Sequence, residues 1–285
     1  MRQRRYPSDT SDAEWLVIAP LLPPPAWTTP RGGRPERWPR REIFDAIRYV
    51  VSEGCRWRAL PADSPPHQTV YGFFRRWTKS GVLELVRDQL RRRVRCLEGV
   101  SPNGVASVID SQSVKAAETV AKSSRGFDPG ERINGRKRHV VVDLEGLPLL
   151  ISVTPADVHD TRAARIALTR LRRAHPEITI VWADRAYAGT LITWARTSLN
   201  LTVKTVARPK DAHGFVLLPR RWIVERSISW WMHARRLVRD YERLPAHAEA
   251  MLNTAVITLM TRRLTRPRCF PSAAAPRPAE LIQAA

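Results

Sequence analysis

The chain has 285 residues and carries 48 Lys and Arg against 27 Asp and Glu, a formal net charge of +21 that is typical of a protein that binds a polyanion such as nucleic acid. Apolar residues make up 43% of the sequence, enough for a folded core, and no apolar run approaches the roughly 18–20 residues of a membrane span. The basic N-terminus has no apolar segment behind it and the three cysteines are scattered, so we expect no signal peptide, no disulfide framework and no cysteine-based zinc site.

The first region of the chain, residues 1–100, is predicted to form a helical domain. Ser11-Asp-Ala-Glu14 is a capping box that opens a helix. Apolar residues at helical spacing predict helices over Arg40–Glu53 and His67–Lys79, and another helix after Gly81. Short helices joined by short turns, with basic side chains clustered late in one of them, are typical of a helix-turn-helix-like DNA-binding domain. A small helical bundle with a solvated charged face is the alternative.

The second region, residues 101–268, is predicted to be an α/β domain with a mixed sheet. A strand over 105–109 comes first, and a hairpin follows with strands over 139–142 and 149–153. The next elements are a helix, a strand, a helix, a strand and a helical segment broken at Pro245, over 161–174, 178–183, 191–199, 201–206 and 219–264. This is the order of a ribonuclease-H-like domain, so we expect an α+β or α/β fold overall. Residues 123–138 are expected to form a polar, mobile connection, and residues 269–285 a disordered tail.

Positive charge is spread over both regions. Residues 1–104 carry 19 basic and 11 acidic side chains, a net of +8, and residues 105–285 carry 29 and 16, a net of +13. Because the charge is not confined to a tail, both regions are expected to contact the polyanion.

Two aspartates follow strands that a ribonuclease-H-like sheet places side by side. Asp110 is expected to end the first strand of this domain, and Asp184 the strand over 178–183. Carboxylate oxygens are the ligands that Mg²⁺ prefers, and two acids plus one more make a site for phosphoryl transfer. Asp143 also follows a Val-rich strand, but the Leu-Glu-Gly that comes after it predicts a hairpin turn instead.

The third acid is expected from the late helices, which offer Glu225, Asp240, Glu242 and Glu249. Glu225 differs from the others because three arginines flank it. It is either one half of a structural ion pair or a metal ligand among phosphate-binding cations. Arg221, four residues earlier, lies on the same helical face and could guide DNA past the carboxylate.

At this point several motifs resemble one known family. The N-terminal motifs include Gly33-Arg-Pro35, Gly54-Cys-Arg-Trp-Arg58 and Pro66-His-Gln-Thr-Val-Tyr71. The later ones are Asp110-Ser-Gln-Ser-Val-Lys115, Gly135-Arg-Lys-Arg-His139, Asp157-Val-His-Asp160, Ala183-Asp184-Arg-Ala-Tyr187 and Arg221-Trp-Ile-Val-Glu225-Arg226. In this order, over about residues 8–265, they resemble bacterial insertion-sequence DDE transposases of the IS-Five group.

This resemblance implies a catalytic triad of Asp110, Asp184 and Glu225 that holds two Mg²⁺ ions, which Mn²⁺ could replace. It implies binding to the terminal inverted repeats of an insertion sequence, cleavage at the element ends and joining of the 3′-OH ends to target DNA. The partners would be double-stranded DNA and a second copy of the chain, in a nucleoid-associated protein of the bacterial cytoplasm. No covalent nucleophile is needed, so the Ser111 and Ser113 hydroxyls are expected to be structural.

The candidate DNA contacts are basic side chains of both regions and one tryptophan beside an arginine. They are Arg75, Arg76, Lys79, Lys115, Lys137, Arg138, Arg221, Trp222, Arg226, Arg235 and Arg236. Trp57, also beside arginines, is a further candidate for base stacking. His159 is expected to cap the helix that follows it, and His139 to face DNA or the core.

The sequence departs from the family pattern at three positions. The usual Tyr and Lys that accompany Arg221 and Glu225 are replaced by Leu218 and Met232, and Arg235 and Arg236 are candidates for the basic role. Ala186 stands where Gly is expected, a mild change unless the backbone there needs a positive φ. A catalytically inactive DNA-binding remnant, and a ribonuclease-H-like nuclease that cuts without joining, are the alternatives to an active transposase.

Overall fold

The computed structural model describes residues 3–30, 32–206 and 220–266. Its α-helices are α1 Asp12–Ile18, α2 Arg40–Glu53, α3 His67–Lys79, α4 Val82–Leu97, α5 Asp160–Ala174, α6 Thr190–Leu199, α7 Arg221–Met232 and α8 Pro245–Thr265. Its strands are β1 Ala106–Lys115, β2 Gly126–Asp128, β3 Ile133–Asp143, β4 Pro148–Pro155, β5 Ile180–Ala183 and β6 Thr202–Thr205. None of the helices in these ranges is long and apolar enough to cross a membrane. The predicted tail, residues 269–285, lies outside the described residues.

The N-terminal helices begin and end where local chemistry predicts. The Ser11 hydroxyl accepts a hydrogen bond from the Glu14 amide at 3.1 Å, which confirms the cap of α1. Gly54 ends α2 in the left-handed conformation with φ +74°, a backbone region that glycine enters without a Cβ penalty. Only Ser80 and Gly81 separate α3 from α4, so the two helices are joined by a tight turn.

The strands form one mixed sheet in the order β2-β3-β1-β5-β6, with β4 also paired to β3. β3 runs antiparallel to β1 and to β4, whereas β1, β5 and β6 are parallel. Helices α5 and α6 supply the crossovers between the parallel strands, as parallel strands require. This mixed α/β arrangement fits the ribonuclease-H-like class predicted from the order of elements.

Two strand predictions were wrong in the same part of the sheet. β1 continues five residues past Asp110 to Lys115, paired with β3 throughout, so Asp110 lies inside the strand and not at its end. Residues 123–138 are not a mobile connection, because they contain β2 and the first half of β3. The Arg136 guanidinium holds this half of β3 by hydrogen bonds to the Ser124 carbonyl and to the Asp240 carboxylate.

The two faces of the sheet pack against different sets of helices. On one face, Ile109 and Val181 join a cluster with Leu168 of α5 and Leu191 of α6. On the other face lies a larger cluster whose buried members come from β1, β3, β4, α1 to α4, α7 and α8. The helices of residues 1–100 therefore share their core with α8 and the sheet, and the predicted boundary near residue 100 does not separate two cores.

The β3–β4 turn fixes the position of α7. The Ser227 hydroxyl donates to the Gly146 carbonyl at 2.7 Å, and Gly146 has φ +82°. A Cβ on Gly146 would lie 2.7 Å from the Ser227 Oγ and 3.3 Å from the Trp230 ring. The turn and the helix are thus in contact so close that only glycine fits.

We expect Gly146→Ala to lower the free energy of unfolding by roughly 2–4 kcal/mol, because the left-handed backbone and the crowding against α7 both oppose a methyl group. Urea denaturation of the full chain measures the change. Gly81→Ala is the matched control: its φ is +70°, but nothing lies within 4 Å of the added Cβ, so the loss should stay near 1–2 kcal/mol. Equal losses in both variants would contradict the contact between turn and helix.

Candidate active site

Asp110 and Asp184 lie level with each other on neighbouring parallel strands. The register pairs Val108 of β1 with Trp182 of β5, and two residues further along the chain in each case are Asp110, inside β1, and Asp184, the residue that follows β5. Side chains alternate between faces along a strand, and Val108 packs in the larger cluster. Asp110 therefore shares the sheet face that α7 covers.

The Asp110 carboxylate is buried and crowded by other acids. Asp110 is only 9% exposed, and its Oδ1 accepts a hydrogen bond from the Ser111 amide at 2.8 Å. Burial raises the pKa of Asp110 to about 6; the Ser111 amide and Arg221 oppose the rise, while Asp184 and Glu225 add to it. Asp184, Glu225 and Arg221 therefore all contribute to the electrostatic environment of Asp110.

Asp184 follows β5 directly and is partly exposed. Its Oδ1 accepts from the Ala186 amide at 2.9 Å and so caps the short helix Arg185–Tyr187. The residues with positive φ in the described chain do not include Ala186. Alanine in place of the expected glycine is therefore accommodated without backbone strain.

Glu225 lies on the first turns of α7 and is 51% exposed. Its Oε1 is 3.2 Å from the Arg221 Nε, one turn earlier on the same helix. The structural ion pair considered from the sequence is therefore present, and the same glutamate contributes to the electrostatic environment of Asp110. Leu218, at the position of the family's tyrosine, lies outside the described residues.

The other acids considered for the third position are engaged elsewhere. The Asp240 carboxylate pairs with Arg136 at 3.2 Å, and Glu242 pairs with Arg236 at 2.8 Å. Glu249 accepts from the Val153 amide at 2.9 Å. All three are buried or partly buried inside the protein, which leaves Glu225 as the acid of this set that contributes to the electrostatic environment of Asp110.

The donor chemistry of the two aspartates fits a hard divalent cation. The Glu225 carboxylate is paired with Arg221. Two level carboxylates, one buried and held next to like charges, form an all-oxygen set of the kind that Mg²⁺ prefers. Within the described ranges no three His, Cys, Asp or Glu side chains are close enough to make a ready cluster.

The predicted DNA contacts divide into exposed and buried side chains. Those on the surface are Arg75, Arg76, Lys79, Lys115 and Arg235, while Arg221, Trp222 and Arg226 are partly exposed. Lys137, Arg138 and Arg236 are buried. Lys137 pairs with Asp128 and Asp160, Arg236 with Glu242, and Arg138 donates to the Gln112 amide oxygen. Their interior positions argue against the expectation that these three contact DNA.

A partly buried polar network that the sequence did not reveal lies behind β1, on the face opposite Asp110. The Ser111 hydroxyl donates to Asp160 at 3.0 Å, and the Ser113 hydroxyl donates to Asp128 at 2.5 Å. Lys137 bridges the two aspartates at 3.3 and 3.1 Å. These bonds support the structural role expected for the two serines, and they fix the part of β1 that follows Asp110.

His139 belongs to the core rather than to a DNA-facing surface. It is fully buried, its Nε2 lies 2.9 Å from the Thr154 hydroxyl, and its Nδ1 lies 4.0 Å from Asp160. Burial lowers the pKa of His139 to about 4, with Asp160 acting in the opposite direction. His159 is the predicted cap: its Nδ1 accepts from the Thr161 amide at the start of α5.

We expect acid to destabilise the protein through His139. Because the folded pKa is about 4 and an unfolded histidine titrates near 6.5, the stabilisation present above pH 6.5 is lost as the pH falls from 6.5 toward 4. The loss amounts to about 3 kcal/mol. His139→Gln, which retains a hydrogen-bonding side chain but does not titrate, should reduce the difference in unfolding free energy between pH 7 and pH 4.5. An unchanged pH dependence would refute the assignment.

Aromatic side chains beside the site are stacked with cations. The Arg220 guanidinium lies 4.1 Å from the ring centre of Trp182, the β5 residue two before Asp184. On α7, the Arg226 guanidinium lies 4.4 Å from the ring of Trp222 and 4.8 Å from that of Trp230. The i, i+4 spacing of the last three residues could have predicted their stack from the sequence.

Comparison with known proteins gives matches over both regions. Residues 102–260, more than half of the chain, match the family described as "Transposase DDE domain", and residues 10–86 match "Putative transposase of IS4/5 family". The chain is similar to the "Putative transposase for insertion sequence element IS402" of Burkholderia cepacia, at 33% identity over 126 residues, 41% of this chain and 59% of that protein. It is also similar to the "Insertion element IS402 uncharacterized 16.2 kDa protein" of the same organism, at 32% identity over 109 residues, 37% of this chain and 71% of that protein. The chain thus spans less than two thirds of the first relative's length.

Proposed function

Because the chain belongs to the insertion-sequence family of DDE transposases, we propose that it cleaves DNA at the ends of an insertion sequence and joins the 3′-OH ends to target DNA. The observation that carries this proposal is the level pair Asp110 and Asp184, with Glu225 close enough to raise the pKa of Asp110. Three carboxylates in one electrostatic site are the donor set of metal-assisted phosphoryl transfer.

Asp110, Asp184 and Glu225 would hold two Mg²⁺ ions, or Mn²⁺ in their place. When bound, such ions neutralise charge on the phosphate and make a water or a DNA hydroxyl a better nucleophile. The burial of Asp110 keeps its carboxylate in a fixed position, and Asp184 is fixed by its bond to the Ala186 amide. These two side chains need little rearrangement to accept a cation, whereas Glu225 must change partner.

Arg221 has two roles in this proposal. In the free protein it pairs with Glu225 and lowers the mutual repulsion of the acids around Asp110. When Glu225 turns to a cation, the Arg221 guanidinium becomes available for a phosphate oxygen of the DNA next to the reacting bond. The exchange of partners would thus couple the arrival of DNA to the completion of the metal site.

The exposed basic end of α3 is proposed to bind the terminal repeats. Arg75, Arg76 and Lys79 lie on the surface, in a cavity wall they share with Leu244 and His247 beside the start of α8. Together with α4 after the two-residue turn, α3 would act as a helix-turn-helix-like unit that positions the element end. Two ends must be held together, so a homodimer is proposed for the reaction.

The proposal is tested by incubating the full chain with duplex DNA that carries its flanking element ends, with Mg²⁺, with Mn²⁺ or with EDTA, and by mapping the 3′ ends. Cleavage at the end nucleotide and strand-transfer products, both dependent on the cation, are the expected result. Binding without cleavage would indicate an inactive remnant, and cleavage without transfer products a nuclease. Either outcome would reject the proposed activity.

A further inference from the structure

A second cavity with cationic walls lies between α2, α7 and α8, and none of the three carboxylates lines it. It has a volume of about 320 Å³ and is lined by Arg48 of α2, Trp230 and Trp231 of α7, and Arg262 and Arg263 of α8, among others. None of the described residues in its wall carries a carboxylate. The positive charge of the wall is therefore not balanced within the wall itself.

Several buried hydrogen-bond donors at this cavity have no acceptor among the described residues. They are the Ser8 hydroxyl, the Nε and Nη2 of Arg48 and the Nε1 of Trp231. Ser8 is 2% exposed, Arg48 1% and Trp231 3%. The third Arg48 nitrogen, Nη1, donates to Glu14. A buried donor without an acceptor costs about 1–3 kcal/mol, and more for a charged group. An oxyanion in the cavity would bring acceptor oxygens to the side of the protein where these donors are buried.

Repulsion among the cations points the same way. Burial lowers the pKa of Arg262, and Arg48 lowers it further; Glu14 opposes this, while Arg266 and Arg4 add to it. Glu14 is already occupied by Arg48. A negative charge in the cavity would therefore relieve the crowding of like charges.

One arginine of the wall is held in place by an aromatic ring. The Arg263 guanidinium lies 4.0 Å from the ring centre of Trp230, whose ring also contacts the Arg226 guanidinium at 4.8 Å. Stacking fixes the plane of a guanidinium, and a fixed plane presents its N–H groups as a fork that matches a phosphate. The wall is thus prepared for an oxyanion before one arrives.

We propose that this cavity binds a phosphate group at a site separate from the catalytic carboxylates. The DNA backbone is one source of that group, and a free phosphate compound is the other. The phosphate site itself does not depend on the proposed DNA cleavage, whereas its occupation by DNA does rest on the proposed function.

Titration calorimetry of the full chain with inorganic phosphate, at low ionic strength and without divalent cations, tests the site. We expect one phosphate to bind per chain, and Arg263→Gln and Arg262→Gln each to weaken binding about tenfold, the loss of one charge-assisted hydrogen bond. Arg165→Gln is the matched control, because Arg165 is an exposed arginine stacked on Trp194 at 4.9 Å, outside the cavity. Thermal unfolding of each variant reports whether it is folded.

Absence of phosphate binding by the wild-type chain at millimolar concentration would overturn the proposal, as would equal weakening in Arg165→Gln and folded Arg263→Gln. The source is then decided with a duplex oligonucleotide. If DNA fills the site, phosphate competes with the duplex and Arg263→Gln lowers the salt slope of duplex binding by about 0.9. If a free phosphate compound fills the site, Arg263→Gln weakens phosphate binding but binds the duplex as tightly as the wild-type chain does. Neither measurement needs cleavage, so a failed cleavage assay leaves the result intact.

Discussion

Asp110→Asn is expected to lower the rate of cation-dependent cleavage of element-end DNA by roughly a thousandfold or more, while duplex binding is retained. The amide removes one negative oxygen from the proposed metal site, and charge stabilisation by bound cations is worth several kcal/mol. The same change should make the cation-free protein more stable, because at pH 8 a buried carboxylate beside Asp184 and Glu225 is lost. We expect a gain of about 1 kcal/mol or more in urea denaturation.

Asp12→Asn is the matched control for this experiment. It makes the same change in charge, but Asp12 pairs with Arg41 at the start of α1 and is 46% exposed. Its cleavage rate should equal that of the wild type. A variant Asp110→Asn that still produces new 3′ ends in Mg²⁺ would remove Asp110 from the catalytic set, whatever its stability.

Arg136→Met is expected to give the largest loss of stability, about 3–5 kcal/mol in the free energy of unfolding. The guanidinium is fully buried and bonds Asp240, the Ser124 carbonyl and hydroxyl, and the carbonyls of Glu242 and Arg243. Removing it leaves the buried Asp240 carboxylate without its cation, with only the Glu242 amide as donor, and removes the donor from the carbonyls of Ser124, Glu242 and Arg243. Urea denaturation followed by circular dichroism measures the change.

Two further variants separate charge from packing. Arg125→Met removes a pair with Glu118, whose side chain is 86% exposed, so the loss should be under about 1 kcal/mol. Arg136→Met combined with Asp240→Asn should regain part of the loss, since no uncompensated charge remains buried. If the single variant Arg136→Met were as stable as Arg125→Met, the bonding of this segment would be refuted.

The order of elements could be predicted because it depends on local pattern. Apolar periodicity gave α2, α3 and α5 with at most small errors at their ends, and the hairpin of β3 and β4 followed from the turn at Asp143. The level placement of Asp110 and Asp184 followed from the parallel pairing of two strands, although Asp110 lies inside β1 and not at its end. The strand order was therefore enough to predict that the two aspartates lie close together, although the predicted end of β1 was wrong.

Contacts between distant parts of the chain could not be predicted. β1 continues through Ser111 and Ser113 because those polar side chains are satisfied by Asp160 and Asp128, which no local pattern announces. The sequence predicted Arg138 and Arg236 to contact DNA, because it does not distinguish a buried arginine from an exposed one. The partners of such groups lie far along the chain: Arg136 and Asp240 are separated by 104 residues.

The cluster that joins α1 to α4 with α8 and the sheet has a consequence for how such a protein can diversify. In a protein whose DNA-binding domain is joined by a flexible linker, that domain can be replaced as a whole during evolution. Here a foreign set of N-terminal helices would have to reproduce the packing against α8, including the bond from Arg87 to Asn253. With the role proposed for α3, new recognition is expected to arise by substitutions on its outward face, while the shared interior is inherited as a unit.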